Sequence, residues 1–311
     1  MSELPEAARS ILERGVLCYL ASPSPAGPHT TPVVFALEAG RIWGTTGRRT
    51  TKAKLWKREP LAGGLIRDGD RTLMFRGEVR MYDLLDPTTW AASVLRSRQL
   101  TMAAARFTAK NARFFAGYAR DAAQVPLSWT PPARILFSVD LTCGGVVAEG
   151  RIVERWGSWG STLRGLKAFR AAAAGIEPAS LPEEVRDLAE APRHGVLALP
   201  HAGGPLVVPV GVTPANGTFI ARAPAPLLEL ADAAASSNAT LVVDHASAWR
   251  ASGMRGLMLR GPASIYVPSE LTSGGRGLAE LVGDTSDAAV RVRPRSAVWW
   301  VGWSSGTVTT S

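Results

Sequence analysis

Short hydrophobic runs, rich in β-branched and aromatic residues and separated by Gly, Pro or Ser, dominate the pattern of this chain. Four such runs occupy residues 16–21, 31–37, 41–45 and 71–82. Runs of this length and composition predict β-strands. Ala39-Gly40 and Asn216-Gly217 are typical of the tight turns that join hairpin strands. The pattern therefore predicts a chain that is mainly β.

The same order of signals occurs twice along the chain. The matched pairs are Pro32 with Pro209, Gly40 with Gly217, Arg76-Gly77 with Arg260-Gly261, and Trp156 with Trp300. An ordered internal match of this kind predicts two tandem modules, each β-barrel-like. Gly77 and Gly261 fall inside predicted strands, where a missing side chain indicates a bulge or the close approach of another group.

A segment at 86–124 has no counterpart in the second copy. It opens with Asp86-Pro87, a helix N-cap followed by a proline suited to the first helical position. Aromatic and basic residues follow at helical spacing, which predicts one or two amphipathic helices. Residues 161–174 predict a connecting helix. We therefore expect a first module at 1–160 with this insertion, a connection at 161–182 and a second module at 183–311.

Composition narrows the class of protein. The chain has 311 residues, of which 46% are hydrophobic, and a net charge of +9. The two cysteines, Cys18 and Cys143, are too few for a zinc knuckle or a disulfide framework. No apolar stretch reaches the roughly 20 residues of a membrane span, and the N-terminus has no signal-peptide pattern. We expect a cytoplasmic protein without a membrane partner. Its net positive charge suits an anionic partner.

The strongest candidate for chemistry is a basic cluster. Six cations lie within eleven residues, namely Arg48, Arg49, Lys52, Lys54, Lys57 and Arg58. Thr50 or Thr51 is expected to cap a helix at 52–58, whose first amides and positive dipole end favour a phosphate. The alternative is a solvated basic helix on the surface.

Several of these signals together resemble a known family. They are the Gly27-Pro28 turn leading to Pro32, the strand RIWGTT at 41–46, the segment Thr50-Thr51-Lys52 and the strand RGEV at 76–79. This succession resembles the pyridoxamine 5'-phosphate oxidase-like, flavin-binding split β-barrel superfamily, including its deazaflavin-dependent branch. The resemblance covers 15–82 well and the second half more faintly. It implies a mainly β (α+β) fold of two tandem split β-barrels forming an intrachain pseudo-dimer, with a helical insertion in the first.

The resemblance also implies a cofactor site. In that family a flavin phosphate is held by a segment that falls here on Thr50, Thr51 and Lys52, together with a hydroxyl that falls on Thr45 or Thr46. The arginine usual in that segment is absent, and Arg48 or Arg49 is expected to replace it. The tail VWWVGWSS at 298–305 supplies the candidate ring contact, Trp300, because aromatic faces stack on flavins.

The second module lacks an equivalent basic cluster. Where the first module reads TTGRRTTKAK, the second reads ARAPAPLLEL at 221–230, with Arg222 as its one cation and Glu229 as an acid. A dianionic phosphate would not be held there. We therefore predict one cofactor per chain, with its phosphate on the first module and its ring partly covered by the second.

Three functions follow from this site. The first is an FMN-binding oxidoreductase that moves a hydride between flavin and a small organic substrate. The second is a reductase that uses the deazaflavin coenzyme F-420, and the third is a non-catalytic protein that binds haem, flavin or another small ligand. Nucleic-acid binding is the weakest interpretation, because aromatic residues for base stacking are scarce in the basic cluster. The pseudo-dimer is expected as a monomer or as a further homodimer.

The remaining polar residues predict no further site. The four histidines have no metal-type spacing, and His29 is expected in a turn near solvent. Cys18 falls in a predicted core strand. Cys143, in the glycine-rich segment LTCGG, is expected nearer to the surface but has no neighbouring base. No catalytic acid or base and no metal is predicted.

Overall fold

The computed structural model describes residues 4–83, 85–86, 96–127, 133–159, 175–228, 237–245, 251–266 and 287–310. In these ranges the chain forms two antiparallel sheets. The strands of the first sheet are β1 (Leu17–Ser22), β2 (His29–Glu38), β3 (Arg41–Gly47), β4 (Leu61–Asp68), β5 (Arg71–Tyr82), β6 (Arg134–Ala148) and β7 (Arg151–Trp156). Their order is β3-β2-β1-β4-β5-β6-β7, and a further pairing of β3 with β6 closes the first six strands into a barrel.

The second sheet repeats this topology. Its strands are β8 (His194–Leu199), β9 (Leu206–Ala215), β10 (Thr218–Pro224), β11 (Ser237–His245), β12 (Arg255–Tyr266), β13 (Asp287–Val292), β14 (Ser296–Val301) and β15 (Ser304–Thr309). The order is β11-β8-β9-β10-β13-β12-β14-β15, and β11 also pairs with β12. Strands β13 and β14 together take the place that β6 holds in the first barrel. The predicted fold class is therefore confirmed.

Helices lie around the two barrels. They are α1 (Glu6–Arg14), α2 (Thr51–Arg58), α3 (Ser97–Lys110), α4 (Ala112–Arg120), α5 (Glu183–Glu190) and the single turn α6 (Ala225–Leu228). Helices α3 and α4 confirm the predicted helical insertion, and α3 packs on β2. The ring of Tyr118 on α4 meets the ring of Trp303 in the second module, with centroids 4.9 Å apart. The insertion thus links the first module to the second. No helix among the described residues is long and apolar enough to cross a membrane.

Two related glycines show how the modules face each other. Gly27 has φ 104° and lies against the carbonyl oxygen of Ala239, and Gly204 has φ 105° and lies against the carbonyl oxygen of Ala62. Each glycine is 177 residues from its counterpart, and so are the two alanines. A Cβ would stand 3.1 Å from each carbonyl oxygen, closer than ordinary contact, and L-residues rarely adopt this φ. The two barrels therefore pack through equivalent contacts, as the subunits of a two-fold dimer do.

The hydrophobic core continues across this interface. The interior of the first barrel is filled by large side chains such as Phe35, Trp56 and Phe137. A second core cluster combines first-module residues such as Leu65 and Met74 with the interior of the second barrel. Burial of apolar surface at this shared core is what holds the two modules together.

The structure confirms the predicted turns. Ala39 and Gly40 both have positive φ, of 49° and 72°, and Asn216 and Gly217 have 43° and 69°. The register of β5 and β6 shifts between Arg76 and Gly77, which is the irregularity predicted there.

One predicted match is wrong. Trp156 lies on β7, whereas Trp300 lies on β14, the counterpart of the end of β6. The ring of Trp156 covers Gly144, and the ring of Trp300 covers Gly256. Both tryptophans cover a glycine on a neighbouring strand, and this similar local packing explains the similar local sequence. The predicted connecting helix at 161–174 lies outside the described residues.

Candidate functional site

The loop between β3 and α2 is built around a helix cap. The Thr50 hydroxyl donates to the carbonyl of Gly47 at 2.8 Å and accepts from the backbone amide of Ala53, so that α2 begins at Thr51. The hydroxyls of Thr46 and Thr50 lie 3.1 Å apart. Thr50 and Thr51 are exposed. The loop therefore presents hydroxyls and the first amides of α2 to solvent.

The two arginines of this loop differ in their surroundings. Arg48 Nε donates to a carboxylate oxygen of the buried Asp83 at 2.7 Å, and this hydrogen bond holds the pKa of Asp83 below its usual value. Arg49 is exposed. Of the two predicted replacements for the missing arginine, Arg49 is therefore the one that extends from the loop into solvent.

Thr45, at the end of β3, has a partner that the sequence did not indicate. Arg134, the first residue of β6, donates through Nε and Nη2 to the Thr45 hydroxyl at 3.0 and 2.9 Å. Burial lowers the pKa of Arg134. The contact joins residues 89 positions apart, which is why no local pattern predicted it.

Lys52 points away from the exposed end of α2. Its Nζ donates to the carbonyl of Leu20 at 2.9 Å and to the hydroxyl of Thr31 at 2.7 Å. The residue is 3% exposed, and burial lowers its pKa to about 7. The charge predicted for the surface loop is therefore inside the molecule, beside β1 and β2.

Residues 28–31 connect the surroundings of Lys52 to the second module. The hydroxyl of Thr240 on β11 donates to the carbonyl of Pro28, and the Thr30 amide contacts the sulfur of Met258 on β12 at 3.3 Å. Since Lys52 bonds to Thr31, its ammonium lies one residue from this junction. We call this junction the Lys52 seam.

His29 lies at the Lys52 seam as the first residue of β2, not in a turn, and is partly buried. Its Nδ1 is buried without a hydrogen-bond partner in the described part of the chain. Burial, followed by the charges of Lys52 and Arg260, lowers the pKa of His29 to about 3. One of these charges, that of Arg260, belongs to the other module, which no local pattern indicates.

Arg260 on β12 completes the group. Its Nε is buried and has no hydrogen-bond partner among the described residues. Burial lowers its pKa, and no acidic side chain of the described residues contributes. The basic groups Lys52, His29 and Arg260, which we call the seam cations, thus come from three elements and both modules, and no carboxylate from the described ranges acts on them.

In the first module, the residue equivalent to Arg260 is surrounded by protein groups that contact it. Arg76 on β5 is the counterpart of Arg260. Its guanidinium contacts the His201 ring, donates to the carbonyl of Ser158 at 3.0 Å and lies over the Trp159 ring at 5.0 Å. Arg76 Nε also reaches the sulfur of Cys143, which is buried and not near the surface as predicted. At this second junction, the Arg76 seam, the arginine Nε has a partner, whereas the Nε of Arg260 has none among the described residues.

Trp300 stands apart from the seam cations. Its backbone pairs with Gly256 on β12, whereas Arg260 pairs with Ser296 at the other end of the same ladder. The part of the second module that corresponds to Lys52 includes Glu229 and lies outside the described residues. In the described ranges, no three His, Cys, Asp or Glu side chains come together in a way that would hold a metal ion.

Comparison with known proteins returns similar solved structures. No family model and no curated protein matches the sequence. A pyridoxamine 5'-phosphate oxidase-related, FMN-binding protein from Nostoc punctiforme has a TM-score of 0.36 and 18% identity over 48% of this chain and 87% of that chain. An F420 reductase has a TM-score of 0.30 and 23% identity, over 45% of this chain and 98% of the other. A FAD-binding protein from Mesorhizobium loti has a TM-score of 0.34 and 11% identity, over 46% and 94%. Each of these proteins matches about half of this chain.

Proposed function

We propose that this double split-barrel protein binds one flavin-type cofactor at the Lys52 seam and uses it as an oxidoreductase, with FMN as the first candidate. The seam cations carry the proposal. Burying a basic group without an opposite charge is costly, because the group either keeps an uncompensated charge or loses its proton, and the described residues place three such groups at one junction. A phosphate-bearing cofactor supplies the missing negative charge.

The surface loop fits the same ligand. Thr50 and Thr51 present hydroxyl groups, α2 presents its first amides, and Arg49 adds an exposed positive charge. Oxyanions are bound by donors of this kind at helix N-termini. Lys52, the residue that follows Thr51 on α2, extends inward from this surface to the Lys52 seam. A ligand at this position contacts both modules.

The bound cofactor would supply hydride transfer at its ring. The chain's own task is then to bind it, orient it and exclude water. The packed junction of 28–31 against β11 and β12 excludes water from one side of the seam. No general acid or base is required of the protein for this reaction, which agrees with the absence of a predicted one.

The deazaflavin coenzyme F-420 is the second candidate. Its support is the row of exposed arginines on the insertion helices, namely Arg98, Arg106, Arg113 and Arg120. Extended polyanionic tails bind to basic surfaces of this kind. FMN, which has a single phosphate, does not need them.

Titration with FMN and with coenzyme F-420, followed by absorption and fluorescence, tests the proposal. We expect one equivalent of a flavin-type cofactor per chain. Lys52→Met should weaken binding by about 1.5–3 kcal/mol, the usual contribution of a hydrogen bond to a charged group. Lys57→Met is the matched control, because Lys57 lies on the same helix but is exposed and paired with Asp86. Binding of neither cofactor, or equal losses in the two variants, would contradict the proposal, and a Soret band in the purified protein would indicate haem instead.

A further inference from the structure

A cleft of about 320 Å³ lies in the first module, where the end of α1, the start of β1 and the end of β4 meet. Its side chains include Arg14, Val16, Tyr19, Arg67 and Asp68. We call it the Arg67 cleft. Sites for small molecules have volumes of roughly 300–1,000 Å³ and are common at domain interfaces. A cleft at the lower end of this range suits a small ligand.

The charged groups of the cleft leave one cation without a carboxylate partner. Nε and Nη2 of Arg14 lie 2.8 and 2.7 Å from Asp68 Oδ2, so that these two charges offset each other. Arg67 forms no ion pair with the described residues. Its Nη2 donates to the carbonyl of Gly195 in the second module at 2.8 Å, and its Nε and Nη1 make no hydrogen bond in the described part of the chain. The Arg67 guanidinium is therefore held in place with donors to spare.

The rest of the cleft wall is apolar. Val16 is 42% exposed, although valine is usually buried. The hydroxyl of Tyr19 is turned to Asp244, so that Tyr19 offers the cleft its ring. A Cβ on Gly15 would stand 2.4 Å from the Ile66 side chain, which shows how closely the chain between α1 and β1 packs on β4. An apolar surface thus lies beside the free donors of Arg67.

We propose that the Arg67 cleft binds a small monocarboxylate with an apolar body. The carboxylate accepts hydrogen bonds from the remaining N–H groups of Arg67, a side chain well suited to carboxylates. The apolar body lies against Val16 and the ring of Tyr19. The carboxylate of Asp68, in the same cleft, repels a ligand that carries a second negative charge. This site is separate from the seam cations and does not depend on the proposed cofactor.

The second module has no copy of this chemistry. Tyr19 pairs with Leu65, and Val196 pairs with Val242, so that equivalent positions are 177 residues apart. Asp244 is then the counterpart of Arg67, and Val196 that of Tyr19. An acid at the position of Arg67 cannot bind a carboxylate. We therefore expect one such site per chain.

Three matched probes test the site by isothermal titration calorimetry at pH 7. Benzoate has one carboxylate on an apolar ring, benzamide has the same shape without the charge, and terephthalate carries a second carboxylate. We expect one equivalent of benzoate to bind, and benzamide and terephthalate to bind at least about tenfold more weakly. Amide chemical shifts should change on addition of benzoate at residues 14–19 and 67–69.

Variants separate the contributions of the lining groups. Arg67→Gln should weaken benzoate at least about tenfold. Arg71→Gln is the matched control, because Arg71 is exposed on the same hairpin but does not line the cleft. Val16→Ser should weaken benzoate by about fourfold, the effect of about one buried methylene group. Asp68→Asn should remove the discrimination against terephthalate. Thermal unfolding of each variant shows whether the fold is retained.

Each outcome decides the assignment. Binding of benzoate that needs Arg67 and shifts the amides of the cleft supports it. No binding of benzoate, or equal affinities in Arg67→Gln and Arg71→Gln, overturns it. Chemical shift changes confined to other parts of the chain overturn it as well, and terephthalate binding as tightly as benzoate removes the proposed role of Asp68.

Discussion

Arg67 and Asp244 occupy equivalent positions on β4 and β11 and carry opposite charges. Tyr19 joins them: its hydroxyl donates to Asp244 Oδ1 at 2.9 Å, and the Arg67 guanidinium lies 6.0 Å from its ring centroid. Arg67 also donates to the carbonyl of Gly195 in the second module at 2.8 Å. Two copies of one module would place like charges at these positions. The pair therefore favours pairing of the first module with the second over pairing of the first with itself.

Removing this contact should loosen the interface of the modules. Asp244→Ala deletes the acceptor of the Tyr19 hydroxyl, and we expect a loss of about 1–3 kcal/mol in the free energy of unfolding. Asp244→Asn keeps an acceptor oxygen and should lose less. Urea denaturation measures both. Asp187→Ala, which breaks the exposed ion pair with Arg255, should cost no more than about 1 kcal/mol, and equal losses at the two sites would refute this assignment.

Gly63 should tolerate no side chain. In Gly63→Ala the new Cβ would meet the backbone of Pro205, which belongs to a packed strand end and cannot easily move. We expect destabilisation at or above the upper end of the usual 1–3 kcal/mol for overpacking, about 3 kcal/mol. Gly145→Ala is the control, because its nearest neighbour would be 3.6 Å from the new Cβ. A Gly63→Ala protein as stable as the parent in urea would contradict the close contact.

The pH dependence of stability should report the burial of Lys52. Its pKa is lowered from 10.5 to about 7 on folding, so the unfolded chain keeps a proton that the folded chain releases. Between these two values unfolding takes up a proton, and the stability of the ligand-free protein therefore rises with pH. In Lys52→Met this contribution is absent. The difference in unfolding free energy between parent and variant should shift in favour of the parent from pH 7 to pH 10, by at most about 1.4 kcal/mol per pH unit. A difference that stays constant over this range would show that Lys52 is not buried as described.

The two thiols should be inert in the folded protein. Cys18 and Cys143 are buried, and burial raises the pKa of Cys18 to about 12, which leaves almost no thiolate at neutral pH. The thiolate is the form that reacts with disulfide reagents. Titration with such a reagent should therefore label neither cysteine in buffer and both in concentrated urea. Rapid labelling of Cys143 in buffer would place it at the surface, as its glycine-rich surroundings had suggested.

Features that depend only on residues close together in the sequence were predictable. The hairpin turns at Ala39-Gly40 and Asn216-Gly217 need residues that tolerate positive φ, and the start of α2 needs a capping hydroxyl, so that each leaves a local signal. The duplication and the helical insertion were visible for a similar reason, because strands and helices each impose their own spacing on apolar residues. These local rules determined the two tandem β-rich modules and the position of the basic loop, and the family resemblance added the split-barrel fold.

The directions of the side chains in that loop were decided by the tertiary structure. The sequence shows six cations in a row of eleven residues, but not that Arg48 would meet Asp83 or that Lys52 would turn inward to Leu20 and Thr31. Each of these choices depends on a partner 21 to 35 residues away, brought near by the closing of the barrel. The match of Trp156 with Trp300 was wrong for the same reason, because it depends on tertiary structure. Both rings cover a glycine, but they do so from strands that are not equivalent.

The packing of the two modules against each other determined the remaining features of the candidate site. His29 and Arg260 are 231 residues apart and meet only because the barrels face each other, as do Arg76 and His201 at the other seam. Local sequence determined which residues carry charge, and the interface decided which of those charges are buried without an opposite one. The physical reason is that charge belongs to the side chain, whereas desolvation belongs to the packed structure around it.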